Sequence, residues 1–217
     1  MAIAVRAGWL TGIRSDDTAS DAHRPLHLLD IHWKSYNWTR HVAMCKAEHP
    51  ALAAVPDLED PADLPATLAM AEELAPHCDS VVVIPKCDVV GGLPREIGGV
   101  PVTLGFSVPT AYGGTKEPID RFLGWPVHLL GGAPQRQVRL ARYLKATSAD
   151  GNMCQKLANK GLVMDERGNG ARMSVYEPED LGIGLPSRCL ALSLRNLTTL
   201  WQSAGFAQDH TRGGTPW

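Results

Sequence analysis

The sequence predicts an α/β protein, a compact TIM-type (β/α) barrel forming a single domain. Three observations lead there. Six short apolar runs recur about every 25 residues, close to the length of one βα unit. Segments with helical apolar spacing lie between most of the runs. Each run stops at a polar residue, a glycine or a proline, as strands do when they deliver functional residues at their carboxyl ends. A chain of 217 residues has room for roughly eight such units around one core.

The elements follow in order. Residues 2–9 read as a first strand and 10–24 as a polar loop. The first clear run is Leu26–Asp30, followed by a helix over Ser35–Glu48 with Trp38, Val42 and Cys45 on one face. Ala53–Asp57 is the next run. Glu59–Pro65 is a turn that opens a helix over Ala66–Ala75, which Pro76 closes. Val81–Lys86 and Val102–Ser107 are two further strands, with glycine-marked loops at Gly91–Pro94 and Gly98–Gly99. Pro109–Thr115 is too rich in glycine and proline for a helix and reads as a loop. Val127–Gly132 is a strand. Pro134 starts the helix that runs to Leu144, since proline suits a first helical position. Ala146–Asp150 is the last run. Short helical spacing over Met153–Asn159, a loop at Gly168–Gly170 and a final helix over Ser187–Ser203 complete the barrel, assigned to residues 1–206. Residues 207–217 read as a polar tail.

Composition bounds the function. The net charge is −2, so no global field draws the chain to nucleic acid, and any such binding needs a local patch. No apolar stretch approaches the roughly 20 residues of a membrane span, and the N-terminus lacks a signal-peptide pattern. A cytoplasmic protein that does not engage membranes is expected. The five cysteines are scattered, with no C-x-x-C pair, so reduced thiols are expected and neither a zinc ribbon nor a disulfide framework is.

Three runs end in aspartate: Asp30, Asp57 and Asp150. In a closed barrel they converge, and converging carboxylates push each other's proton affinities apart. That arrangement suits glycosyl transfer, in which one carboxylate attacks the sugar carbon and another handles protons. The ordinary readings are a helix cap or turn start for Asp57 and a standard turn pair for Asp150-Gly151. Asp30, His32 and His128 form a thin alternative set for a metal-dependent barrel hydrolase. Gly131-Gly132 before a helix offers backbone N–H groups to an anion or a carbonyl. No phosphate-binding glycine motif accompanies it. Arg136, Arg139, Arg142 and Lys145 step along one helix, as a solvated face or a phosphate track would. Trp33, Tyr36 and Trp38 follow Asp30 and suit core packing or base stacking.

Six stretches, taken together, resemble the DpdA-like deazapurine DNA modification proteins, relatives of the tRNA-guanine transglycosylases. They are Leu29–Lys34, Val55–Leu58, Ile84–Lys86, Gly105–Thr115, Val127–Gly132 and Ser148–Asn152. The resemblance implies a transglycosylase barrel that replaces guanine in DNA by a 7-deazaguanine, with 7-cyano-7-deazaguanine (preQ0) as the expected base. It makes Asp150 the nucleophile, since Leu129–Gly132 stands in place of the family's preceding Leu-Met-Gly-Val-Gly-like strand. Asp30 becomes the second catalytic aspartate, although Ile31-His32-Trp33 replaces the family's small residues. Asp57 corresponds to the aspartate that reads the base, and Lys86 stands near a family glutamine. Ser107, Thr110, Leu130, Gly131, Gly132 and Asn152 complete the implied pocket. The zinc-binding extension of the tRNA enzymes has no counterpart here, so no metal and no cofactor are expected. DNA and the free base are the implied partners, with an accessory protein allowed. A non-catalytic DNA-binding relative is the other alternative.

Overall fold

The computed structural model describes residues 9–16, 26–32, 34–111, 113–172 and 184–206. The strands are β1 (Thr11–Arg14), β2 (Leu26–Asp30), β3 (Leu52–Ala54), β4 (Ser80–Val83), β5 (Glu96–Ile97), β6 (Val100–Ser107), β7 (Val127–Leu130) and β8 (Ser148–Ala149). Seven of them pair in parallel in chain order, β1-β2-β3-β4-β6-β7-β8, while β5 adds antiparallel to the start of β6. A parallel sheet that never reverses its strand order curls with its crossovers on one side. This one curls into a half-barrel.

Each helix starts and stops for local reasons. Helix α1 (Trp38–Glu48) is capped by the Asn37 side chain, which accepts the Arg40 N–H at 3.0 Å, and it ends at left-handed His49. Helix α2 (Leu64–Leu74) and helix α3 (Pro134–Leu144) both carry proline in the first turn, where its missing N–H costs nothing. Their apolar faces (Val42 and Cys45, Ala71 and Leu74, Val138, Ala141 and Leu144) pack on the outward-pointing strand residues Leu29, Val81, Val83, Leu104, Phe106, Val127 and Leu129. Strand alternation sends the other residues inward. Leu28, Leu52, Ala54, Val82 and Ile84 fill the concave face, with Leu130 against them. Ser80 and Thr103 share a hydrogen bond of 2.8 Å there.

The expected closed eight-unit barrel is not formed. Among the described residues β1 and β8 do not pair, and the sheet stays open between them. The reason lies after Asp150. Instead of another parallel strand the chain makes helix α4 (Met153–Ala158) and an antiparallel hairpin of β9 (Leu162–Met164) and β10 (Gly170–Arg172). Helix α5 (Leu185–Ser203) follows. A second core of Cys154, Ala158, Val163, Met164, Cys189, Leu190 and Leu194 binds these pieces together. The Ser193 hydroxyl accepts the Met164 N–H at 2.9 Å, and the Asn196 amide donates to the Met164 carbonyl at 2.7 Å. Helix α5 then lies across the gap, with Trp9 Nε1 donating to Thr198 Oγ1 at 3.2 Å.

Other expectations also shift. The first described strand is Thr11–Arg14, inside the segment read as loop, whereas residues 2–8 of the expected strand lie outside the described residues. Gly170 opens β10 rather than ending a loop. Pro76 does not break the chain out of helical geometry, because a 3-10 turn over Ala75–His77 accommodates it. The 207–217 tail lies outside the described residues. All five cysteines are free thiols. Among the described residues no helix is long and apolar enough to cross a membrane.

Gly105 marks how tightly the concave face is filled. A β-carbon there would sit 2.7 Å from Ile84 Cγ1 and 3.0 Å from Leu130 Cδ1. Gly105→Ala is expected to destabilise the fold by about 1–3 kcal/mol through overpacking. Urea unfolding followed by circular dichroism measures it.

Candidate functional site

The strand ends deliver their polar residues to one end of the sheet. Asp30 ends β2, and Asp150 directly follows β8. His128 and Ser148 point inward from the neighbouring strands β7 and β8, where they are register partners. These four side chains line a cavity of about 500 Å³ at the open seam. Its other walls include Thr11–Arg14 of β1, Gln137 of α3, Gly151 and Asn152, and Leu194, Leu197 and Trp201 of α5. The volume lies in the range of small-molecule sites, roughly 300–1,000 Å³.

Asp150 is held in place by its surroundings. Its Oδ1 accepts the Gly131 N–H at 2.8 Å, and His128 Nε2 stands 3.7 Å from the same oxygen. Oδ2 has no hydrogen bond among the described residues. Of the N–H groups expected to be on offer at Gly131-Gly132, that of Gly131 is taken up by the protein's own carboxylate. Both glycines have positive φ, 60° and 87°, and a β-carbon on Gly132 would collide with Val108. Buried Gln137 braces this turn, donating to the carbonyls of Gly131 at 2.8 Å and Asp150 at 2.6 Å.

Asp30 lines the same cavity from the end of β2. Burial and the nearby Asp150 charge raise its pKa from 3.8 to about 7, against the opposing effect of the Ile31 N–H that it accepts at 2.8 Å. His128 also lowers it, and Asp57 raises it. Asp30 is therefore the acid that holds a proton closest to neutral pH, through burial first and the Asp150 charge second. His27, also on the cavity wall, is pushed down to about 4, mainly by burial and then by His128.

The remaining expected residues separate from this cavity. Asp57 follows β3 and pairs with buried Lys86 at 3.4 Å, and Lys86 also donates to Ser107 Oγ. Burial raises the Asp57 carboxyl, and Lys86 pulls it back down. This trio forms the adjoining part of the rim, electrostatically in reach of Asp30 but not on the cavity wall. Thr110 is exposed in a tight turn closed by Gly113, and the Leu130 side chain packs into the concave core. Gly132 and Asn152 do line the cavity.

The hydrolase ligand set does not assemble. His32 Nδ1 accepts the N–H groups of Lys34 and Ser35, and no group of three or more His, Cys, Asp or Glu among the described residues is placed to hold a metal ion. The basic stripe is partly structural: Arg136 donates to the Pro109 carbonyl and Arg142 to the Ala204 carbonyl. Trp38 packs on the core and donates to Glu73, Tyr36 is exposed, and Trp33 lies outside the described residues.

Sequence reasoning missed Ser148 and Gln137. Ser148 shares the inward parity of Asp150, a signal visible once β8 is placed. Gln137 falls on the apolar face of α3 with Pro134, Val138 and Ala141, where an amide needs partners.

The raised Asp30 has a thermodynamic consequence. Its carboxyl ionises near 3.8 when unperturbed and at about 7 in the fold. Between these values the folded state binds the proton more tightly, so stability falls as pH rises through the window and levels off above it. Asp30→Asn removes that slope. The variant is expected to exceed the parent by on the order of 2–4 kcal/mol above pH 7, shrinking towards zero below pH 4. Paired urea titrations across pH check it.

A family model described as "Family of unknown function (DUF6610)" matches residues 4–202. No curated protein and no solved structure matches the chain.

Proposed function

The chain belongs to the family of unknown function DUF6610, and for this member we propose a transglycosylase that exchanges guanine in DNA for a 7-deazaguanine base. The observation that carries the reading is the pairing of Asp30 and Asp150 on one cavity, with Asp150 anchored through a single oxygen. Two acids in unlike environments divide the labour of glycosyl transfer. The choice of base and of DNA comes from the resemblance of the strand-end motifs to the DpdA-like proteins.

In the proposed reaction a deoxyguanosine leaves the stack and enters the cavity, as base-modifying enzymes require. The free Oδ2 of Asp150 attacks C1′. The C1′–N9 bond breaks, its electron pair leaves with the guanine, and Asp30 supplies the proton. An aspartyl–sugar ester remains. The incoming 7-deazaguanine, 7-cyano-7-deazaguanine in the simplest case, then gives its N9 proton to Asp30. Its N9 attacks C1′ and releases Asp150. Asp30 thus donates a proton and later recovers one, a cycle suited to a carboxyl that titrates near neutrality. Asp57 and Lys86 set an acceptor beside a donor on the adjoining rim, a pattern complementary to the amide edge of guanine. A base with carbon at position 7 lacks the N7 acceptor that helps guanine depart, which favours exchange in one direction.

Co-expression with a source of 7-cyano-7-deazaguanine, then mass spectrometry of nucleosides from total DNA, tests the proposal. A deazaguanine deoxynucleoside is expected with the parent chain and should be absent with Asp150→Asn. Its absence with the parent chain overturns the reading, and an unchanged biological effect in Asp150→Asn points instead to a non-catalytic DNA-binding protein.

A further inference from the structure

His128 is 1% exposed, in the middle of a strand, and touches the cavity from behind Asp150. Its two ring nitrogens have different neighbours. Nδ1 lies 2.6 Å from Ser148 Oγ. Nε2 has no hydrogen-bond partner among the described residues and stands 3.7 Å from Asp150 Oδ1. The other titratable groups around the ring are His27 and Asp30 on β2.

The proton inventory selects one arrangement. The Ser148 hydroxyl is buried, and its one hydrogen-bond contact among the described residues is Nδ1. If that hydroxyl donates, Nδ1 is the bare acceptor and Nε2 carries the hydrogen, aimed at a carboxylate oxygen. In the opposite tautomer the serine proton has no acceptor, and a lone pair on Nε2 faces the negative charge of Asp150. Both faults carry the cost of a buried unsatisfied group.

We propose that His128 is a positioning residue, its tautomer set by Ser148, that directs Nε2–H at Asp150 Oδ1. With the Gly131 N–H it holds one carboxylate oxygen from two sides and leaves Oδ2 turned to the cavity. The functional meaning rests on Asp150 being the attacking group. The tautomer and its coupling to Asp150 do not. The 3.7 Å separation is longer than a made hydrogen bond, so Nε2 faces Oδ1 as an electrostatic contact.

The experiment is nitrogen-15 NMR of the full chain labelled at histidine, with no substrate. The expected spectrum at neutral pH assigns His128 a bare Nδ1 and a protonated Nε2. Asp150→Asn is expected to move the Nε2 resonance, and Ser148→Ala to populate the Nδ1–H form. A proton on Nδ1 in the parent chain, a doubly protonated ring, or an Nε2 resonance that ignores Asp150→Asn overturns the assignment. The parent spectrum alone decides the tautomer should a variant fail to fold. Because no base exchange is monitored, loss of the proposed reaction and loss of this arrangement are separate results.

Discussion

Strands that run the same way all finish at the same end, and the chemistry of this molecule depends on that constraint. Parallel pairing gathers Asp30, Asp57, Lys86, Ser107, His128 and Asp150 from six strands spread over 121 residues of chain. None of them has to be close to another in sequence. Helix α3 reaches this end through Gln137, which ties the Gly131 and Asp150 carbonyls together, and α5 walls the cavity with Leu194, Leu197 and Trp201. The same parity rule that turns Leu29, Val81 and Leu129 outward to the helices turns Leu28, Val82 and His128 inward. A polar inward residue therefore has to find a partner on the sheet or face the cavity. Ser80 and Thr103 do the first, and Asp30 and Asp150 do the second.

Burial makes the two halves of the strand-end rim behave differently. Asp57 is buried beside a cation and forms an ion pair with Lys86. Burial raises both acids, but Asp30 lacks the lysine that offsets the rise at Asp57, and the Asp150 charge adds to it. A fold selected for stability alone would not keep an acid in that position, because an amide of the same shape costs less. A buried acid of raised proton affinity beside a cavity is the feature on which the proposed site rests.

The sequence made the middle of the fold legible and its edges illegible. Leu26–Asp30, Val81–Val83 and Val127–Leu130 are dense apolar runs, fully buried on one face, and periodicity finds such strands. Thr11–Arg14 holds one large apolar residue, Ile13, and gains its strand character only from pairing with β2. The hairpin of β9 and β10 is short, and its turn rests on Asp165 accepting the Arg167 and Asn169 N–H groups, a tertiary-scale detail with no periodic signature. Closure failed for a related reason. Counting units tells how many strands a chain can supply, whereas the strand after Asp150 was spent on a helix and a hairpin. At the site, the aspartates were legible as run endings. The Asp57–Lys86 pair and the His128–Ser148 pair were not, since each joins neighbouring strands whose register no single sequence reveals.

The gap in the sheet gives the wall between β1 and β8 a different compliance from the rest. Elsewhere a rung of backbone hydrogen bonds fixes the spacing of adjacent strands at nearly constant values. Across the gap, among the described residues, the wall is made by side chains of a helix, with Leu194, Leu197 and Trp201 lining the cavity and Trp9 donating to Thr198. Such contacts are individually weak and non-directional, and they slide where a ladder would have to break. The two flanks of the cavity are therefore joined across the gap by side-chain packing, where every other neighbouring pair of strands is joined by a backbone ladder.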